Sequence, residues 1–200
     1  MIFLDLDGVL AEFCVPFSRV IQQFDPTMPT ITTATQPDWG TWGGEMTDER
    51  LSFGWEVLKK VENFWETVPS LAPPSVFARL AAAHKEIPIL FVTSRIPTLG
   101  NSVQRQCINW LEERGILDPL VIVAGGDARG RTGKTDKASI ARIWSPYFII
   151  EDGPQNALDY AAAGFEVALL DWPYTANTKA PGIHRCNLDE ALEMAGVPYV

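Results

Sequence analysis

Between residues 2 and 170 the chain alternates short, continuous apolar runs with amphipathic stretches, and this alternation constrains the fold more than any other feature. The runs cover residues 2–4, 87–92, 120–123, 147–150 and 167–170. Each is too short for a stable helix and rich in Ile, Val, Leu, Phe or Tyr, so each reads as a strand. Helical patterns lie between them at residues 101–114, 136–144 and 155–163; Gly115 and Gly164 stop the first and last. A strand that is apolar along its whole length is covered on both faces. The spacing therefore predicts a three-layer α/β fold, a Rossmann-like parallel sheet with helices on either side, which binds ligands beyond the carboxyl ends of its strands.

Residues 11–74 interrupt the alternation. They carry helix-like patterns at 13–24 and 48–61 around a stretch rich in Pro, Thr and Gly that contains Trp39 and Trp42. An insertion directly after the first strand emerges at the carboxyl edge of the sheet. Residues 11–74 are therefore expected to form a small helical cap over that edge, with residues 1–10 and 75–200 as the core. Their aromatic density argues against a disordered insertion. Trp39, Trp42, Trp55 and Trp65 admit two readings: they hold the cap together, or one or two of them line the cleft and stack on a flat ligand such as a nucleobase.

Composition narrows the setting. Of the 200 residues 46% are apolar and 20% charged, and no apolar run approaches the roughly 18 residues of a membrane span. The chain enters its first strand with no signal-peptide pattern, which predicts a cytoplasmic protein. Cys14, Cys107 and Cys186 are scattered and odd in number, giving neither a disulfide framework nor a zinc spacing. His84 and His184 have no partner at metal-binding spacing and are expected at the surface or in loops. A net charge of −9 opposes binding of polymeric nucleic acid, whereas a small phosphorylated substrate remains compatible because a metal ion, a lysine and backbone N–H groups set the local field. A homodimer is left open.

The residues with chemical potential fall where strands end. Asp5, Asp7 and Gly8 follow the first strand. A carboxylate is a competent nucleophile toward phosphorus once a divalent cation offsets the repulsion of two anions, and a second carboxylate two positions on can serve as acid and base. The same residues also suit a simple Asx turn. Thr93, Ser94 and Arg95 follow the second strand and offer hydroxyls and a cation to phosphate oxygens. Lys134 and Lys137 precede or open a helix, and Lys137, at the helix start, is the better placed. Glu151 and Asp152 follow a later strand and supply oxygen for Mg²⁺, or cap the next helix. Residues 128–135 satisfy a permissive phosphate-loop pattern, but Ala128 stands where a strict one has glycine, and a kinase of that type has no task for Asp5, Asp7 or Thr93.

An acidic pair after the first strand, hydroxyls after the second, a lysine, and a later acidic pair resemble the four motifs of the haloacid dehalogenase-like phosphatases. The resemblance implies Asp5 as nucleophile and metal ligand, and Asp7 as acid and base that binds metal through its carbonyl. It further implies Thr93 as phosphate ligand, Lys137 as the bridge between nucleophile and phosphate, and Asp152, with Glu151 beside it, completing a Mg²⁺ site. Within that superfamily, residues 5–13, 64–69, 93–95 with Gln106 and Trp110, and 171–174 look like the 5′(3′)-deoxyribonucleotidases, which implies a nucleoside monophosphate as substrate, with Trp39 and Trp42 the aromatic candidates for the base.

Overall fold

The computed structural model describes residues 1–38, 41–125 and 136–199. In chain order its elements are β1 (Ile2–Leu4), α1 (Cys14–Ile21), α2 (Asp48–Leu58), α3 (Pro74–Ala83), β2 (Ile89–Thr93), α4 (Val103–Glu112), β3 (Leu120–Val123), α5 (Lys137–Trp144), β4 (Phe148–Glu151), α6 (Pro154–Ala162), β5 (Val167–Leu170), β6 (Ile183–Cys186) and α7 (Leu188–Met194). The six strands form one sheet in the order β3-β2-β1-β4-β5-β6, and every neighbouring pair is parallel. The α/β class and parallel sheet read from the strand pattern are therefore the observed ones.

The two-residue period of the strands sorts their side chains into two cores. Ile2, Leu4, Ile89, Phe91 and Ile150 face one side and bury against Phe77 and Leu80 of α3, Trp110 and Leu111 of α4, and Leu192 of α7. Phe3, Leu90, Val92, Ile149 and Leu169 face the other and bury against Ile140 and Ala141 of α5 and Ala157 and Tyr160 of α6. This gives helix, sheet and helix layers.

Three elements escape the periodicity reading: α3, β6 and α7. The sequence Ile-His-Arg-Cys of β6 looks unlike a buried strand because β6 is an edge, paired only with β5, where His184 and Arg185 are exposed. His184 thus sits on a strand, at the surface, 2.6 Å from Glu166. None of the helices among the described residues is long and apolar enough to cross a membrane. Cys14, Cys107 and Cys186 are free and buried.

The insertion after β1 contains α1 and α2 packed on each other. Gly54 permits their close approach, since a Cβ there would press on the Phe17 ring at 2.8 Å and on Ile21 at 3.0 Å. Phe13 stacks on Trp55 with centroids 5.7 Å apart, and Phe17 lies 4.5 Å from the same ring. The return segment is fastened to α4: the Trp65 backbone N–H donates to Gln106 Oε1 at 3.0 Å, and Trp110 Nε1 donates to the Val68 carbonyl at 2.6 Å.

Candidate active site

Sheet order decides which strand ends meet. β1 lies between β2 and β4, with Leu4 in register with Phe91 on one side and Ile150 on the other. The Asp5 N–H continues the ladder by donating to the Ile150 carbonyl at 3.0 Å. Asp5 therefore leaves the sheet beside Glu151, in the crevice where the chain turns from one half of the sheet to the other.

The Asp5 carboxylate is held at both oxygens: Oδ1 accepts the Leu6 N–H at 2.7 Å, and Oδ2 lies 2.6 Å from Lys137 Nζ. Lys137 is the first residue of α5, aimed by a helix start in which Asp136 caps the Ser139 N–H at 2.6 Å. Its ammonium also donates to Glu151 Oε2 at 2.9 Å. The other Glu151 oxygen accepts the Gly153 N–H at 2.9 Å and the Asn156 amide at 3.3 Å. Asp152 Oδ2 accepts the Tyr174 hydroxyl at 2.7 Å.

Asp5, Glu151 and Asp152 each bring a carboxylate oxygen within 4.8 Å of the others, and all three are buried. Burial and then the neighbouring Glu151 charge push the Asp5 carboxyl well above the usual carboxylate range; the same two causes raise Asp152. Burial also acts to raise Glu151, but the Lys137 ammonium and the backbone N–H groups outweigh it and hold Glu151 low. Lys137 is held above its ordinary value, its two carboxylate partners overcoming desolvation. Three buried carboxylates facing one ammonium leave an excess of negative charge on hard oxygen donors, which is the donor set that suits Mg²⁺. Of the later acidic pair, Asp152, held at Oδ2, is better placed to ligate than Glu151, which is engaged at both oxygens.

Gly8 is required by this arrangement. Its φ is +74°, and a Cβ would overlap the Asp152 carboxylate. Its carbonyl accepts Trp172 Nε1 at 2.8 Å, tying the turn after β1 to the loop after β5. Gly8→Ala is expected to lower stability by about 1–3 kcal/mol from the strained φ alone and, because the added methyl displaces the Asp152 carboxylate, to remove any Tm gain on adding Mg²⁺. A variant that keeps both the wild-type Tm and the Mg²⁺ response would show that the Asp152 position is not tied to this turn.

The structure places Arg95 differently from its expected position on the phosphate. Its guanidinium is turned onto Asp7, with Nε to Oδ2 at 2.9 Å and one terminal nitrogen to Oδ1 at 2.8 Å; the other terminal nitrogen meets Cys107 Sγ at 3.3 Å. It lies over the Trp65 ring at 4.7 Å. Arg95 thus orients Asp7 rather than lining the cavity. Asp7 itself stands outside the cluster of Asp5, Glu151 and Asp152, and the Thr93 hydroxyl lies 3.5 Å from its Oδ2.

A cavity of about 360 Å³ opens over these groups. Asp5, Asp7, Thr93, Ser94, Lys137, Glu151 and Asp152 line its polar end, and Phe13, Phe17, Trp42, Met46, Leu51, Trp55 and Trp65 its apolar wall. Trp42 is buried against Phe17, with ring centroids 5.7 Å apart, and also borders the cavity, so holding the cap together and lining the cleft are not exclusive. Trp39, Lys134 and the phosphate-loop-like residues 128–135 lie outside the described residues. Tyr174 and Asn156, which hold Asp152 and Glu151, were given no role from the sequence. The signal available was their position just beyond β5 and at the start of α6, on the same sheet edge. Gln36 also lines the cavity and carried no motif.

No protein-family model and no curated protein matches the sequence. Solved structures do. The chain is similar to a haloacid dehalogenase family hydrolase from Deinococcus radiodurans R1 with bound phosphate and sodium, at 16% identity over 98% of this chain and 96% of that one, with a TM-score of 0.53. A haloacid dehalogenase-like hydrolase from Streptococcus pneumoniae aligns at 13% identity over 96% of both chains, TM-score 0.58. A predicted phosphatase from Clostridium acetobutylicum aligns at 12% over 96% of both, TM-score 0.58. At these identities the likeness is one of architecture: the chain has the fold of the haloacid dehalogenase-like hydrolases.

Proposed function

We propose that the chain is a Mg²⁺-dependent phosphomonoester hydrolase that works through an aspartyl-phosphate on Asp5 and takes nucleoside 5′-monophosphates. The hydrolase reading rests above all on Asp5, a buried carboxylate pinned by Lys137 at 2.6 Å, on the floor of a cavity whose polar end also carries the Thr93 and Ser94 hydroxyls. Asp5 and Asp152 would hold the ion, with Glu151 beside them. When bound, Mg²⁺ offsets the repulsion between the nucleophile and the phosphate dianion.

Asp5 Oδ2 forms a bond to phosphorus as the bond to the leaving oxygen breaks, and Asp7 gives that oxygen a proton. Water then attacks phosphorus, Asp7 takes up its proton, and inorganic phosphate leaves the restored Asp5 carboxylate. Lys137 and the Thr93 and Ser94 hydroxyls hold the phosphoryl oxygens. Arg95 keeps Asp7 oriented; pairing at both oxygens leaves each with a second lone pair for the proton. Phosphate release from a panel of phosphomonoesters, with Mg²⁺ and with EDTA, tests this directly. Equal release in the two conditions would overturn the metal-dependent mechanism.

The metal site has a pH signature. Burial and the Glu151 charge hold the Asp5 and Asp152 carboxyl pKa values above the ordinary value of 3.8, so the metal-free fold favours their protonation more than the unfolded chain does. Their contribution to stability is complete below that value and is lost as pH rises through the raised ones. The Glu151 contribution runs oppositely, present above its ordinary range and lost on acidification. Mg²⁺ competes with protons for the Asp5 and Asp152 oxygens, so its stabilisation, about 2.7 kcal/mol at 100 times Kd, should be larger at pH 8 than at pH 5. A Tm gain that is flat from pH 5 to pH 8 would place the ion elsewhere.

The nucleotide reading rests on the resemblance to the deoxyribonucleotidases and on the aromatic wall of Phe13, Trp42 and Trp55. A stacked base contributes roughly 1–3 kcal/mol, so nucleoside monophosphates should exceed ribose 5-phosphate about tenfold or more in kcat/KM. Equal values would remove the nucleotide while leaving the phosphatase reading untouched.

A further inference from the structure

Among the described residues, one buried side-chain polar atom has no hydrogen-bond partner: Gln36 Oε1. Buried polar atoms are almost always paired, because stripping water from an oxygen without replacing it is unfavourable. Gln36 is only 1% exposed, and it lines the cavity above Asp5.

The side chain is held in place by a short network. Its Nε2 donates to Cys14 Sγ at 3.4 Å, which fixes the other end of the amide. Burial keeps the Cys14 thiol well above its ordinary pKa, so the sulfur is neutral. The loop carrying Gln36 is fastened to α1 and to the segment before it by side chains. Glu12, itself buried, accepts the Thr33 N–H at 3.1 Å and the Thr33 hydroxyl at 2.9 Å. Ser18 Oγ accepts the Ile31 N–H at 3.0 Å, and the Gln36 N–H closes a turn onto the Thr32 carbonyl at 3.1 Å. Gln36 lines the cavity, its Nε2 is engaged and its Oε1 has no partner among the described residues, so the oxygen is the end of the amide left to accept from a bound molecule.

We propose that Gln36 is a specificity residue: its Oε1 accepts a hydrogen bond from a donor on the nucleoside part of the substrate, either a sugar hydroxyl or an N–H of the base. The identification of that donor with a nucleoside rests on the nucleotidase reading above. The Phe13 ring, one residue before Cys14 and stacked on Trp55, borders the same cavity. A ligand lying on that wall brings its polar edge within the compartment that Gln36 shares. A site built to receive a donor discriminates against an analogue lacking it, because the protein oxygen is then left buried and unpaired.

The test compares the nucleoside 5′-monophosphate that is turned over fastest with its 3′-deoxy analogue and with its analogue methylated on an N–H of the base. Wild-type enzyme should favour the parent over one analogue by about tenfold or more in kcat/KM, equal to about 1.4 kcal/mol. Which analogue suffers identifies the donor. In Gln36→Met, similar in size but without the amide oxygen, that ratio should fall toward one. The wild-type comparison needs no variant, so a poorly folding Gln36→Met protein does not spoil the test. If wild-type enzyme accepts all three nucleotides equally, the inference is overturned while the nucleotidase reading stands, and Oε1 serves only water. If nucleotides are no better than ribose 5-phosphate, the nucleotidase reading fails. Gln36 is then judged on ribose 5-phosphate against p-nitrophenyl phosphate, which has no donor, and a ratio unchanged by Gln36→Met overturns the inference there too.

Discussion

Asp5→Asn is expected to reduce kcat by as much as about 10⁶, the scale on which removal of a catalytic nucleophile acts, while the Tm stays within a few degrees of wild type or rises. An amide is nearly isosteric with the carboxylate and keeps an oxygen for the Leu6 N–H, but it cannot form the acyl phosphate. The loss of the Lys137 ion pair is offset in two ways. Lys137 retains Glu151 at 2.9 Å, and one of the mutually repelling charges that push Asp5 and Asp152 upward is removed. Phosphate release from p-nitrophenyl phosphate with Mg²⁺, together with calorimetry on the same sample, reads both quantities. Activity within tenfold of wild type would rule out the aspartyl-phosphate, and a collapsed Tm would recast Asp5 as a structural residue.

Lys137→Ala should lose activity and stability together, which separates it from Asp5→Asn. The ammonium lies 2.6 Å from Asp5 and 2.9 Å from Glu151, and it is 5% exposed. Removing one partner of a buried ion pair typically destabilises by 3–5 kcal/mol, because the remaining charge has neither water nor a counterion. A preorganised cation facing the transferred phosphoryl contributes roughly 10²–10³ in kcat. The destabilisation has a direction in pH. In the wild type Glu151 is kept ionised largely by Lys137, a contribution present above the ordinary glutamate range and lost on acidification. The gap between wild type and variant in urea unfolding should therefore hold from pH 8 to pH 5 and shrink only as pH falls below the ordinary glutamate value of 4.5. Lys134→Ala is expected to leave most of the activity, and a larger kcat loss there than for Lys137→Ala would reverse the choice of lysine.

The sequence by itself determined the layered parallel architecture and the strand ends at which the polar residues sit. Burial on both faces of a strand leaves a continuous apolar run, helix stops leave Gly115 and Gly164, and both signals are local. Hence Asp5, Thr93, Lys137 and Glu151 could each be assigned to the end of a strand or the start of a helix without knowing how the strands are ordered. The order β3-β2-β1-β4-β5-β6 was decided only in three dimensions, and with it the meeting of Asp5, Lys137 and Glu151 at one crevice. The partner of Arg95 was equally hidden. Its guanidinium pairs with Asp7, 88 positions away, where a strand-end arginine beside two hydroxyls had suggested phosphate. Tyr174 reaches Asp152 across 22 positions, and the edge strand β6, with His184 and Arg185 exposed at its centre, carries no continuous apolar run. Hydrophobic periodicity reports whether a residue is covered, because burial follows the local repeat of helix or strand. Which polar group meets which depends on direction and distance across the packed layers, and no local repeat encodes that.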